Sequence, residues 1–311
     1  MKNNLYTSIT GDPFADAGGD VVRFLCELYP DKNIIELIEY VTDLYINKFD
    51  CKLNAYFLNH PLTQAAWDKN RRRPETLKYY HSLLEGRGGY QGTCCITGKN
   101  GIVFNATRAN SILTGSNTFV NFHANLSGGI PMSKEIIIRM YFAPLGMIRW
   151  GKNIINIRSN NEKVNRCFVD SNCKNNLLES STEFVLINGM DYGGYIFNFI
   201  NSILKNGYDE NKALALNIYK FTNYAASPGV EIDVVDQGLF SFYKYVYNND
   251  QWWGFIETYD KEENNSNREY VYNSIFYNLL KKRNILPAMR NYAENHLFDF
   301  DIACKYINAT K

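Results

Sequence analysis

The hydrophobic period of this chain changes near residue 90, and that change limits its fold more than any other feature. Residues 33–49, NIIELIEYVTDLYINKF, place apolar side chains at 34, 35, 38, 41, 44, 45 and 49. This is the spacing of one helix face, and Asn33 with Glu36 has the form of a capping box at its start. Residues 21–29, with Asp20 as N-cap, predict a second helix. Residues 74–86, opened by Pro74 and closed by Gly86, predict a third. The next stretch, TCCITGKNGIVFNA (93–106), predicts a β-hairpin turning at Gly98-Lys99-Asn100-Gly101.

Beyond the hairpin, extended stretches at 118–124, 152–159, 215–226 and 230–236 mix with helical ones at 131–146, 192–208, 239–248, 270–283 and 298–308. Residues 11–20 read as a loop, with Gly18-Gly19 as a tight turn, and residues 260–269, DKEENNSNRE, as a polar linker. The order is not a regular βαβ series. It predicts an α+β fold of irregularly mixed helices and short antiparallel sheets, with a β-hairpin insertion. The expected regions are a mainly helical 1–91, a basic hairpin and strand region 92–166, and an α/β and helical 167–311, within one continuous domain.

The chain has 311 residues and a net charge of +1. That total hides an uneven distribution. Residues 1–66 hold 5 basic and 9 acidic groups, net −4; residues 67–166 hold 15 and 5, net +10; residues 167–311 hold 13 and 18, net −5. A segment this basic suits a polyanion, because neutralising phosphates releases their counterions. The alternative is a solvated surface paired with the acidic parts. No apolar run reaches the roughly 18 residues of a membrane helix. The N-terminus has no apolar leader, so a cytoplasmic protein is expected. Seven scattered cysteines (26, 51, 94, 95, 167, 173 and 304) suit buried small hydrophobes better than a disulfide framework.

Four chemistries are open to inspection. GTCCITGKN (92–100) lacks the spacing, the Ser/Thr and the following helix of a phosphate loop. Cys94 has Thr97 where a zinc hairpin would carry its second cysteine. Cys94 or Cys95 with His123 offers a nucleophile and a base, but the four histidines (60, 81, 123 and 296) have no triad or metal spacing. The run DKNRRRPET (68–76) sets Lys69, Arg71, Arg72 and Arg73 just before a predicted helix start, where guanidinium forks suit phosphate oxygens. Tyr79, Tyr80 and His81 follow as rings for base stacking, or as a core-facing aromatic stripe.

TGDPFADAGG (10–19) resembles the N-terminal signature T/S-G-x-P-F-x-D-A-G of the large subunit of type I-B CRISPR–Cas Cascade complexes. GTCCITGKNG (92–101) is similar to that family's zinc-hairpin block. Residues 119–160 are similar to its Phe-x-x-Phe to Pro-Leu-Gly and strand block. YKFTNYAASPGVEIDVVD (219–236) resembles its later strand pair, and NSIFYNLLKKRNILP (273–287) its late helical motif. The family's four zinc positions fall here on Cys94, Thr97, Ser133 and Ile136. The resemblance therefore implies a degenerate hairpin held by apolar packing, with no metal and no cofactor. The chain departs from the family in length: the family's C-terminal helical bundle is expected either to be supplied separately or to be missing from a compact variant.

The function so implied is non-catalytic recognition of DNA. The subunit would contact the protospacer-adjacent motif in duplex DNA, promote R-loop formation beside the CRISPR guide RNA, and recruit a helicase-nuclease or another effector. Its partners would be the backbone and guide-handle-binding subunits of Cascade. Lys69, Arg71, Arg72, Arg73, Arg87, Lys99 and Arg108 are the expected phosphate contacts, with Arg149, Lys152 and Arg158 beside them. Asn110, Asn117, Asn121 and Asn125 are the expected groove-reaching side chains. Gly11, Asp12, Pro13, Phe14, Asp16, Gly18 and Gly19 form a structural loop that docks a neighbour or the guide handle, or simply packs the N-terminus. The rival expectations are a Cys/His-dependent hydrolase or nuclease and a protein-only adaptor.

Overall fold

The computed structural model describes residues 4–114, 128–178, 184, 187, 189–208, 214–223, 229–265 and 268–310. Helices and small sheets mix irregularly along the chain, so the fold is α+β as expected. Two compact units are present. One comprises residues 1–156, 165–186 and 219–231, the other 157–164, 187–218 and 232–311. This division does not follow the boundaries expected at 91 and 166.

The first unit opens with α1 (Asn4–Thr7), α2 (Pro13–Leu28) and α3 (Ile34–Asp43). Helix α2 starts well before residue 21, because the cap is Asp12 and not Asp20. The Asp12 carboxylate accepts the N–H groups of Phe14 (3.0 Å) and Ala15 (2.7 Å), and Pro13 fills the first helical position. Gly18 and Gly19, expected in a turn, are buried inside this helix. Their role is close packing. A Cβ at Gly18 would lie 1.9 Å from the backbone oxygen of Arg139, and one at Gly19 3.1 Å from that of Tyr6. Helix α3 carries the predicted capping box, with the Asn33 amide N–H donating to Glu36 at 2.7 Å. A π-helical turn, Leu44–Lys48, takes over at its end. Asp50 and Cys51 follow with φ of 48° and 55°, the left-handed region that few side chains enter.

Helix α4 (Lys69–Leu84) begins five residues before Pro74, which lies inside it. Asp68 is its cap, accepting the Arg71 N–H at 2.9 Å. Strands β1 (Tyr90–Thr93) and β2 (Asn100–Ala106) pair antiparallel from Tyr90↔Val103 to Thr93↔Asn100. The hairpin is the predicted one, but its turn is 94–99, closed by Cys94 N–H on the Lys99 carbonyl (2.9 Å); Asn100 and Gly101 are in the strand. Residues 131–146, read as one helix, divide into β3 (Ile130–Ser133), paired with β2, then α5 (Lys134–Phe142) and a 3-10 turn, Ala143–Gly146. Strands β4 (Ile148–Trp150) and β5 (Asn153–Ser159) and helix α6 (Glu162–Leu177) complete the run. The core of this unit is rich in buried rings: Tyr45, Phe49, Tyr56, Phe57, Tyr80, Tyr141 and Phe142.

The later elements are β6 (Gly189–Met190), α7 (Tyr192–Lys205), β7 (Leu216–Thr222), β8 (Gly229–Val235), α8 (Gln237–Val246) and α9 (Asp250–Glu257). They continue with β9 (Asp260–Asn265), β10 (Arg268–Asn273), α10 (Ser274–Leu280), α11 (Leu286–Ala293) and α12 (Phe300–Ala309). One sheet has the order β4-β5-β7-β8. The expected polar linker at 260–269 is instead largely a pair of antiparallel strands, β9 and β10, in register from Arg268↔Asn265 to Asn273↔Asp260. The expected helix at 270–283 therefore starts only at Ser274. Asn273 fixes that switch: its Nδ2 donates to Asp260 (2.6 Å) and to the Ile256 carbonyl (2.9 Å), while its Oδ1 caps α10. In the second unit Phe197 stacks on Phe276 with Tyr243 tilted against it, and Lys281 forms a two-toothed pair with Asp233 at 2.8 and 2.9 Å.

Candidate nucleic-acid interface

The cations of the DKNRRRPET run sit in the opening turns of α4, not in a loop before it. That is an unfavourable end of a helix for positive charge, because the N-terminal dipole is itself positive. Each cation has a local partner. Lys69 Nζ meets Asp50 at 2.9 Å. The Arg73 guanidinium grips Asp43 with Nε at 2.6 Å and Nη2 at 3.0 Å. Arg72 Nη2 donates to the Gln64 carbonyl at 2.9 Å. The exposed guanidinium of Arg71 stands over the Trp67 ring, 4.4 Å from its centroid. Lys69 holds the Asp50 carboxyl below its ordinary range, and Asp43 raises the Arg73 guanidinium further. These acidic partners come from the acidic first part of the chain and had no signal in the sequence near the arginines.

Of the rings expected to stack on bases, Tyr79 and Tyr80 turn inward and only His81 is exposed. Tyr80 is fully buried, and burial pushes the Tyr79 hydroxyl up to about 12. For the two tyrosines the pattern is the core-facing stripe. Asn110 does not reach outward either: its Nδ2 donates to Tyr79 (2.7 Å) and its Oδ1 accepts the Thr107 N–H (2.8 Å). Asn117, Asn121, Asn125 and His123 lie outside the described residues. Arg87 pairs with Glu85, Arg149 donates to the Gly151 carbonyl at 2.9 Å, and Arg108 and Arg158 are half-buried. Lys99 in the hairpin turn and Lys152 are exposed.

The TGDPFADAGG segment is a closed hydrogen-bonded unit. Asp16 accepts the Thr10 N–H (2.8 Å), the Thr10 hydroxyl (2.7 Å) and the Gly11 N–H (2.9 Å), with Gly11 at φ 88°. Pro13 offers its carbonyl to Asn156 at 2.9 Å. Phe14 packs edge-on against Tyr219 and Phe221, with centroids at 5.7 and 4.9 Å. Arg139, only 1% exposed, reaches from α5 to the Ser8 and Leu5 carbonyls at 2.6 and 2.7 Å, and lies 3.8 Å from Asp16. It is the principal residue of this region that sequence reasoning missed. A lone arginine in the apolar run IIIRMYF is its trace, since a buried charge requires such partners.

The hairpin turn encloses Cys94. Burial pushes this thiol up, but the Thr97 side chain and backbone bonds involving Ser133, Thr97 and Ile96 outweigh it and leave it below the ordinary range. Thus Cys94, Thr97 and Ser133 do meet, through polar contacts on the sulfur. The neighbouring Cys95 is exposed and, through partial burial, its thiol is pushed up to about 11. A cleft of about 470 Å³ opens beside the turn, lined in part by Leu5, Leu84, Lys99, Ser133, Glu135 and Arg139. Among the described residues no group of three or more His, Cys, Asp or Glu is placed to hold a metal ion, and no helix is long and apolar enough to cross a membrane. Comparison with known proteins finds no matching family model, curated protein or solved structure.

Proposed function

We propose that the chain is a non-catalytic DNA-recognition subunit of a type I-B-like CRISPR Cascade, acting in the cytoplasm without a cofactor. It contacts the protospacer-adjacent duplex, promotes R-loop formation beside the guide RNA, and recruits a helicase-nuclease or another effector. The observation that carries this reading is convergence. Four of the five segments bearing the resemblance are far apart in sequence, yet Asp16, Phe14, Cys94, Ser133, Arg139, Asn156 and Phe221 from them join in one compact unit, while the late helical segment 273–287 belongs to the other. On that unit, the α4 cations supply sequence-independent grip, while pairing with a guide reads the target.

Two experiments test it. Co-purification with the products of neighbouring genes should yield a bound short RNA of uniform 5′ end. Replacing Arg71, Arg72 and Arg73 together by alanine should weaken binding to unrelated duplexes alike. The same change should flatten the slope of log affinity against log salt by about one per lost phosphate contact. An unchanged slope removes these residues from the interface. Absence of RNA, together with absence of duplex binding at low salt, overturns the reading.

One observation favours the second reading, a protein-only adaptor: Lys69, Arg73 and Arg87 already face carboxylates of this chain. That reading expects no affinity for duplex DNA even at low salt. A Cys/His hydrolase has weaker support, since Cys94 is enclosed and Cys95 holds its proton at neutral pH.

A further inference from the structure

We infer that Asp43 and Asp50 occupy, on Arg73 and Lys69, the positions that backbone phosphates of duplex DNA take when it binds, so that the α4 surface is held closed by its own carboxylates. The inference rests on the nucleic-acid reading above and adds its regulation. Lys69 and Arg73 are four residues apart and share one face of α4. The Arg73 fork meets both Asp43 oxygens, the planar two-bond geometry that also suits a phosphate. All four side chains are between 41% and 63% exposed, so a polyanion can reach the cations and displace the carboxylates into water.

The carboxylates are delivered by unusual backbone. Asp43 ends α3 where the π-helical turn begins, and Asp50 is the first of two consecutive left-handed residues. π turns are rare in ordinary helices and left-handed non-glycine residues are strained. Together they carry two acids from the α3 segment to the cation row. Arg71, stacked on Trp67, makes no ion pair among the described residues and is the cation available for first contact. Binding is then an exchange. A phosphate arrives, a carboxylate leaves, and only a ligand presenting several phosphates at once displaces both. Exposed pairs of this type are weak enough for such exchange.

The test is fluorescence anisotropy of the full chain with a random-sequence DNA duplex across a salt series, using wild type, Asp43→Asn, Asp50→Asn, the double variant and Lys69→Ala/Arg73→Ala. Asparagine keeps the shape of each side chain and tolerates left-handed φ at position 50. Asp31→Asn, an exposed acid elsewhere on the same unit, reports the general effect of removing one negative charge. Each asparagine variant at 43 or 50 is expected to bind about threefold tighter, with a steeper salt slope, and Asp31→Asn to change affinity much less. Equal affinity for wild type, Asp43→Asn and Asp50→Asn, alongside weaker binding by Lys69→Ala/Arg73→Ala, overturns the inference and leaves the nucleic-acid reading standing. Equal strengthening by Asp31→Asn overturns it as well. No binding by any variant at low salt overturns both.

Discussion

Replacing Gly18 by alanine is expected to cost about 3 kcal/mol or more of stability. The added carbon would lie 1.9 Å from the Arg139 carbonyl oxygen and 2.5 Å from its carbonyl carbon. Neither atom is the flexible end of a side chain. Both belong to the backbone of α5, whose side chains from Ile136 to Phe142 are all buried. Either α2 or α5 must move. Movement of α5 would also pull Arg139 from the Ser8 and Leu5 carbonyls, stranding a buried charge. Gly101→Ala is the control, because its site has an ordinary φ and no neighbour within 4 Å. Chemical denaturation of both variants should separate them clearly. A Gly18→Ala midpoint within error of that of Gly101→Ala would remove the close crossing of α2 and α5 as a determinant of the fold.

Acid should destabilise the protein through His60. This imidazole is fully buried, lies 5.6 Å from the Tyr141 ring centroid, and accepts the Leu62 N–H on Nδ1 at 3.1 Å. Its other nitrogen, Nε2, lies 3.3 Å from the Tyr80 hydroxyl. Burial pushes its pKa down to about 3 from the ordinary value of 6.5. The unfolded chain therefore takes up a proton at a pH where the folded chain does not. The contribution of neutral His60 is complete above about pH 6.5 and is lost as pH falls from there towards 3. By about pH 5 the loss amounts to about 2 kcal/mol. The check compares urea unfolding of wild type and His60→Gln at about pH 7.5 and pH 5. The variant should be less stable at the higher pH and show a flatter fall with acid. Parallel profiles would show that another group sets the acid limit.

Features governed by near neighbours were legible from sequence. The Asn33 and Glu36 capping box, the extended stretch that became β5 and the helix at 192–205 all depend on residues within a few positions, although β5 buries Ile154 to Ile157 in an unbroken run and does not alternate. The errors share a cause in distant contacts. Gly18 and Gly19 looked like a turn because nothing nearby announces that α5 crosses against them. Pro74 looked like a helix start, although Asp68, six residues earlier, was an equally good cap. That the cations could pair with the acidic parts was open from sequence, but not which acids they meet, because Asp43 and Asp50 lie between about twenty and thirty residues upstream. Strand β9 carries no apolar alternation because its ladder is made of backbone groups, which a polar sequence supplies equally well. For the candidate interface, charge by residue count and the chance of pairing were readable, but the particular partners that modify it were not.

The discontinuous make-up of the first unit has a consequence for biosynthesis. Residues 219–231 belong to it, and Tyr219 and Phe221 cover Phe14 near its beginning. A nascent chain emerging from the ribosome therefore holds an unfinished amino-terminal body for most of translation. That body closes only after more than two hundred residues have been made, which leaves a long interval in which a chaperone or an assembly partner has access to its uncovered rings.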